Sequence, residues 1–110
     1  MPPNLSELEQ LVLLALLRLG DAAYGVSITA ELNQRAGRSV NFATVYKTLI
    51  RLETKGMVAT RLGEPTPERG GRRKRYYHLN PGGRAALAAS LGAIQRMSQG
   101  VEPLLANVDL

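Results

Sequence analysis

A mainly helical domain carrying one small β-hairpin is what the sequence predicts. Three observations lead there. The chain has 110 residues, enough for one hydrophobic core and fewer than the roughly 150 expected per domain. Apolar residues recur at helical spacing through its first half, and Gly20, Gly37 and Gly56 follow the three runs. Between residues 57 and 79 the period changes to two β-forming runs, separated by a polar stretch with Pro65, Pro67, Gly70 and Gly71.

The first helix is expected from Ser6 to Leu19. Ser6 and Glu9 have the spacing of a capping box, in which each side chain satisfies the other's orphan amide. Leu8, Leu11, Val12, Leu13, Leu14, Ala15, Leu16 and Leu17 surround most of this helix. A helix on a monomer's surface needs only one apolar stripe. This one is therefore buried on two sides, either by its own domain and a partner chain or as the central helix of one small core. The second helix runs from Gly25 to Ala36. Val26, Ala30 and Asn33 share a line, and Ile28 and Leu32 make the core contact. Asn41 caps a third helix that reaches Lys55. On it Phe42, Val45, Leu49 and Leu52 form a core stripe, and Thr44, Lys47, Thr48, Arg51 and Lys55 take the opposite side. Two helices joined by about four residues, the second basic on its outer face, match a helix-turn-helix.

Met57 to Leu62 and Arg75 to Leu79 form the strands of a hairpin, with Gly63 to Lys74 as its long loop. Asn80 and Pro81 then open a final helix, as cap and first-turn residue. Leu87, Leu91, Ile94 and Val101 line one of its faces, and Gly100 and Pro103 predict a kink or break near residue 100. The fold class is thus a winged helix-turn-helix over residues 1–80. A C-terminal helix over 81–110 packs on it within a single compact domain.

Charge narrows the function. Lys and Arg number 14 against 9 acids, a net +5, and eleven of the cations are Arg. Such an excess favours anionic partners, and arginine favours phosphates and base edges. Arg61, Arg69, Arg72, Arg73, Lys74 and Arg75 face only Glu64 and Glu68 in the hairpin, so most of the net charge sits there. With no Cys and a single His, a disulfide framework, a cysteine nucleophile and a multi-histidine metal site are excluded. No carboxylate pair, glycine-rich phosphate loop or nucleophile elbow is present, so no catalytic or metal-ligating residue is assigned, and no enzyme activity or cofactor is expected. The apolar run from Leu11 to Leu17 is far shorter than the about 20 residues needed to span a bilayer. The residues before it lack the basic start of a secretory signal. No membrane partner is expected, and the expected location is cytoplasmic.

On the third helix Asn41, Thr44, Lys47 and Arg51 are candidate DNA contacts. Arg51 suits a bidentate contact to guanine, and Thr44 a phosphate or thymine methyl. Asn41 either reads DNA or only caps the helix. Tyr24 and Gly25 start the second helix, whose free amides either hold a phosphate or belong to a plain turn. Arg69, Gly71, Arg72, Arg73 and Lys74 form a phosphate-gripping loop, in which Gly70 and Gly71 permit close approach. Arg75 either joins them or pairs with an acid. Tyr76 and Tyr77 alternate sides, so one is core, and His78 is read as structural.

In this order the chain resembles the PadR-type transcriptional regulators, winged-helix DNA-binding repressors. The resemblance covers roughly residues 8 to 91. It rests on Leu14-Ala15-Leu16-Leu17 followed by Ala23-Tyr24-Gly25, and on Ala43-Thr44-Val45-Tyr46 with Leu49, Arg51-Leu52-Glu53 and Gly56. It rests most on Gly70-Gly71-Arg72-Arg73-Lys74-Arg75-Tyr76-Tyr77-His78-Leu79 with Asn80, Pro81 and Gly83. The resemblance implies a sequence-specific repressor that binds a palindromic operator in double-stranded DNA as a homodimer. The resemblance alone makes the last helix a C-terminal dimerisation helix, which would pack on the partner's first through Leu8, Leu11, Val12, Leu87, Leu91, Ile94 and Val101. Tyr46 falls at a family position whose hydroxyl touches the DNA backbone; its other reading is a half-buried packing residue. A small-molecule inducer of unidentified chemistry is a candidate partner between the first and last helices. The chain departs from the family at Ala43, where a glycine is usual, and at Gly82, where a charged residue is commoner and a late start of the last helix is expected. A nonspecific nucleic-acid binder and a protein–protein interaction module remain the alternatives.

Overall fold

The computed structural model describes residues 4–65 and 73–106. Helix α1 spans Glu7–Leu19 and leads through a 3-10 turn at Gly20–Ala22 into α2, Gly25–Arg35. Helix α3 spans Phe42–Thr54. Strands β1, Val58–Leu62, and β2, Arg75–Leu79, precede α4, Pro81–Ser98, and the short α5, Glu102–Leu105. The start of α1 is the predicted capping box: Ser6 Oγ accepts from the Glu9 amide at 3.1 Å and Glu9 Oε1 from the Ser6 amide at 2.8 Å. Gly20, Gly37 and Gly56 follow the first three helices with φ of 57, 65 and 76°, a region that side chains with a Cβ rarely adopt. Gly100, at φ 76°, is the predicted break and separates α4 from α5.

The strands pair antiparallel, with Val58 opposite Leu79 and Leu62 opposite Arg75. The free edge of β2 meets the connection before α2. Tyr76 bridges to Tyr24, and the Tyr77 amide donates to the Ala23 carbonyl at 2.9 Å. These bonds fix the wing against the helix-turn-helix.

One core joins Val12, Leu13 and Leu16 of α1, Ile28 and Leu32 of α2, and Val45, Leu49 and Leu52 of α3. Val58, Tyr77, Leu79, Ala86 and Leu87 close it. Each fully buried Leu or Ile there contributes about 1.5–3 kcal/mol. Alternation decides the tyrosines, with Tyr77 buried and Tyr76 half-buried.

The structure corrects several expectations. Phe42 is 50% exposed rather than core, and Thr48 is buried rather than outward. Thr48 lies only about 60° around the helix from Val45, inside the buried sector. Its hydroxyl donates to the Thr44 carbonyl at 2.9 Å, so burial leaves nothing unpaired. Phe42 precedes the first core turn and projects past the core's edge. The side chain of Asn80 does not cap α4 but donates to the Gly56 carbonyl at 3.2 Å. Helix α4 starts at Pro81 with no delay at Gly82. Its first turn lies so close to the turn before β1 that a Cβ on Gly83 would overlap the Met57 carbonyl.

Beyond Leu87 no described residue is buried. The second half of α4 therefore projects from the core. The radius of gyration is 16.2 Å, against about 13 Å for a compact domain of this length.

Candidate nucleic-acid interface

The buried positions of α3 turn Ala43, Lys47, Ile50 and Thr54 outward, flanked by Phe42 and Tyr46 on one side and Thr44 and Arg51 on the other. All of these are exposed. Lys47 and Arg51 are one helical turn apart and project together. The ion pairs among the described residues are Arg18 and Arg35 with Glu31, Arg38 with Glu7, and Lys55 with Glu9. They leave Lys47 and Arg51 out.

Lys55, expected on the outer basic face, is drawn instead to a carboxylate on α1. Its Nζ lies 2.7 Å from Glu9 Oε2. Burial raises the Glu9 pKa, but the hydrogen bonds from Lys55 and the Ser6 amide, together with the Lys55 charge, outweigh it and hold the carboxyl below its ordinary value. The pair fastens the end of α3 to α1 and so sets the angle at which α3 leaves the core.

The wing base reaches the same surface as the start of α3. A cleft of about 300 Å³ is lined by Tyr24, Gly25, Phe42, Tyr46, Lys74 and Tyr77. Lys74 Nζ lies 4.5 Å above the Tyr24 ring, a cation–π contact that holds the charge at the cleft's rim. The Arg61 guanidinium sits 4.6 Å over the Tyr76 ring and donates to the Asp21 carbonyl at 3.3 Å. Phe42 stacks on Tyr46, with centroids 6.0 Å apart and planes 18° apart. A Cβ on Gly25 would overlap the Phe42 ring, so the ring seats against the bare backbone where α2 starts. Burial also pushes the Tyr77 phenol up, so it is neutral at neutral pH.

Of the sequence-predicted contacts, Thr44, Tyr46, Lys47, Arg51, Arg73 and Lys74 are exposed. Tyr24 and Gly25 line the cleft between α3 and the wing. Asn41 is the cap of α3: its Oδ1 accepts from the Thr44 amide at 2.9 Å, so that oxygen serves the helix. Arg69, Gly71 and Arg72 lie outside the described residues, as does Gly70. Arg75 pairs with no acid among the described residues and reaches Thr60 Oγ1 at 3.5 Å. His78 is exposed on β2. Of the residues assigned to a partner contact, Val12 and Leu87 are 0% and 2% exposed. They already pack inside their own chain and are corrected to core. Leu91 and Ile94 are 38% and 55% exposed, and Leu8, Leu11 and Val101 are half-buried.

Two outward residues escaped sequence reasoning. Ile50 completes the line through Lys47 and Thr54, a position the helical spacing itself marks. Phe42 fits the core period but lies at the edge of the buried sector, where its ring rests against Gly25, a contact the period does not encode. Between α1 and α2 a cleft of about 380 Å³ opens, lined by Leu11, Leu14, Leu17, Arg18, Glu31 and Arg35. Among the described residues no cluster of His, Cys, Asp or Glu could hold a metal, and no helix is long and apolar enough to cross a membrane.

Three helices and an antiparallel wing, with a cationic face shared by α3 and the wing base, define a winged-helix protein equipped for nucleic acid. The family model of the transcriptional regulator PadR-like family matches residues 13–89, and the chain belongs to that family. No curated protein matches it. Solved structures share the fold. A PadR family transcription regulator from Clostridium difficile R20291 has a TM-score of 0.73 at 23% identity, over 91% of this chain and 99% of that one. A PadR-like transcriptional regulator from Bacillus cereus has a TM-score of 0.73 at 22% identity, over 92% and 93%. Bacillus subtilis PadR, solved in complex with operator DNA, has a TM-score of 0.63 at 24% identity, over 77% of this chain and 47% of that one.

Proposed function

We propose that the chain is a sequence-specific repressor that binds a palindromic operator in double-stranded DNA as a homodimer. The observation that carries this reading is the common surface of α3 and the wing base, joined across the cleft of Tyr24, Phe42, Tyr46 and Lys74. A helix enters the major groove from such a surface while the wing grips the flanking backbone. Lys47 and Arg51 are the groove-facing cations. Arg73 and Lys74 serve phosphates, with Arg69, Gly71 and Arg72 completing the wing. The operator complex of Bacillus subtilis PadR supports the DNA partner.

The dimer reading rests on the half of α4 that leaves the core with Leu91, Ile94 and Met97 exposed. Isolated apolar residues on a surface need no explanation, but a contiguous helical stripe does. A second copy covering it with α1 gives the twofold symmetry that a palindrome mirrors. Repression is then steric. The apolar cleft of α1 and α2, with its charged rim, is the candidate place for an inducer. The protein works where its DNA is, which we assign to the cytoplasm.

Selection of bound duplexes from random DNA, repeated with candidate small molecules, tests the reading. An enriched inverted repeat, lost with an inducer, supports it. Salt-dependent binding without enrichment indicates a nonspecific binder. No salt-dependent affinity indicates a protein-docking module.

A further inference from the structure

The outer face of α3 is more apolar than phosphate binding requires. Ile50 is 44% exposed, Phe42 50% and Tyr46 44%, and Ala43 is exposed between them. Phe42 has defined packing: its ring stacks on Tyr46 and lies against the bare backbone of Gly25. The result is an apolar stripe bordered by Lys47, Arg51 and the wing's Lys74, with the exposed Glu53 beyond Ile50 on the Tyr46 side. Such a surface fits an occupant with apolar spots set between phosphates. Along the major groove every base edge presents donors or acceptors, with one apolar group among them, the 5-methyl of thymine.

We propose that α3 reads its half-site chiefly through thymine 5-methyl groups, with Ile50 and Phe42 as the specificity-determining contacts. Lys47 and Arg51 add polar and phosphate contacts around them. The inference rests on the DNA-binding reading above and names what that surface recognises.

Replacing a thymine by deoxyuridine removes its methyl and nothing else, and leaves base pairing intact. A duplex selected by the wild-type chain would carry deoxyuridine at each thymine of the half-site in turn, with binding followed by fluorescence anisotropy at fixed salt. Burial of one methyl against Ile50 or Phe42 gives about a fourfold loss at the positions it touches. Both side chains are exposed, so Ile50→Ala and Phe42→Ala remain folded, as their melting curves would show. Each variant should bind the thymine and deoxyuridine duplexes equally at its own position. Lys47→Ala should weaken both duplexes alike and preserve their ratio. If wild-type protein binds every deoxyuridine duplex as tightly as the parent, yet still prefers the selected sequence to a scrambled one, methyl reading is wrong and the regulator reading survives. If no sequence is enriched at all, both are wrong.

Discussion

Glu9→Gln isolates the ion pair that anchors α3. The glutamine oxygen can still accept from the Ser6 amide, so the start of α1 persists. What is lost is both the charge and the acceptor facing Lys55, since the glutamine NH2 cannot accept from its ammonium, at a site only 2% exposed. Removing one partner of a fully buried pair costs about 3–5 kcal/mol, whereas an exposed pair is worth about 0–1. The Lys55 side chain is 29% exposed, so water recovers part of its solvation, and the expected loss at neutral pH is about 2 kcal/mol between those limits. At about 4–8 °C per kcal/mol for small domains, melting should fall by about 10 °C. Urea titrations of wild type and variant at the same protein concentration measure the free-energy difference with the contribution of association held equal. The folded carboxyl titrates below its ordinary 4.5. Its contribution is therefore complete above that pH and is lost as pH falls through the folded value. Wild type and variant should converge in acid. Equal stability at pH 7, or a gap that persists unchanged to pH 3, would refute the role given to this pair.

Three further outcomes follow from the packing and charge. Gly83→Ala drives a methyl into the Met57 carbonyl and should destabilise the chain by about 1–3 kcal/mol, measured by denaturant titration, because backbone cannot step aside. Ile94→Arg places a charge in the apolar half of α4, and sedimentation should find monomers where wild type gives dimers; a dimer of unchanged stability would reject that interface. Arg51→Ala should weaken binding and relax base preference at one position of the selected site, by about 1–3 kcal/mol of discrimination if the contact is bidentate.

Elements with local causes were legible in the sequence. The capping box, the glycines after the helices and the hairpin alternation act over a few residues, so spacing alone reveals them. Strand β2 matches its predicted bounds, and the break near residue 100 appears at Gly100. What escaped the sequence depends on partners far along the chain. Lys55 finds Glu9 forty-six positions away, and the Phe42 ring rests against Gly25 on another helix. Thr48 shows the limit of reading polarity as exposure, because a hydroxyl satisfied by its own helix can be buried. Val12 and Leu87 show the same for apolar residues: periodicity marks a buried face but not which chain buries it. The candidate site was legible as a basic helix beside a basic hairpin. Its apolar centre was not: Phe42 fits the core spacing until the packing is seen, and Ile50, though its spacing marks it as outward, carries no charge to single it out.

The claim that α3 and the wing hold one duplex together is tested most directly by the salt dependence of binding. With the selected duplex bound by a dimer, Lys47→Ala and Lys74→Ala each remove one phosphate contact per subunit, so each should lower the slope of log affinity against log salt by about two, and together by about four. A double variant whose slope equals that of wild type, or a change from only one of the two residues, would mean that the duplex does not span both elements.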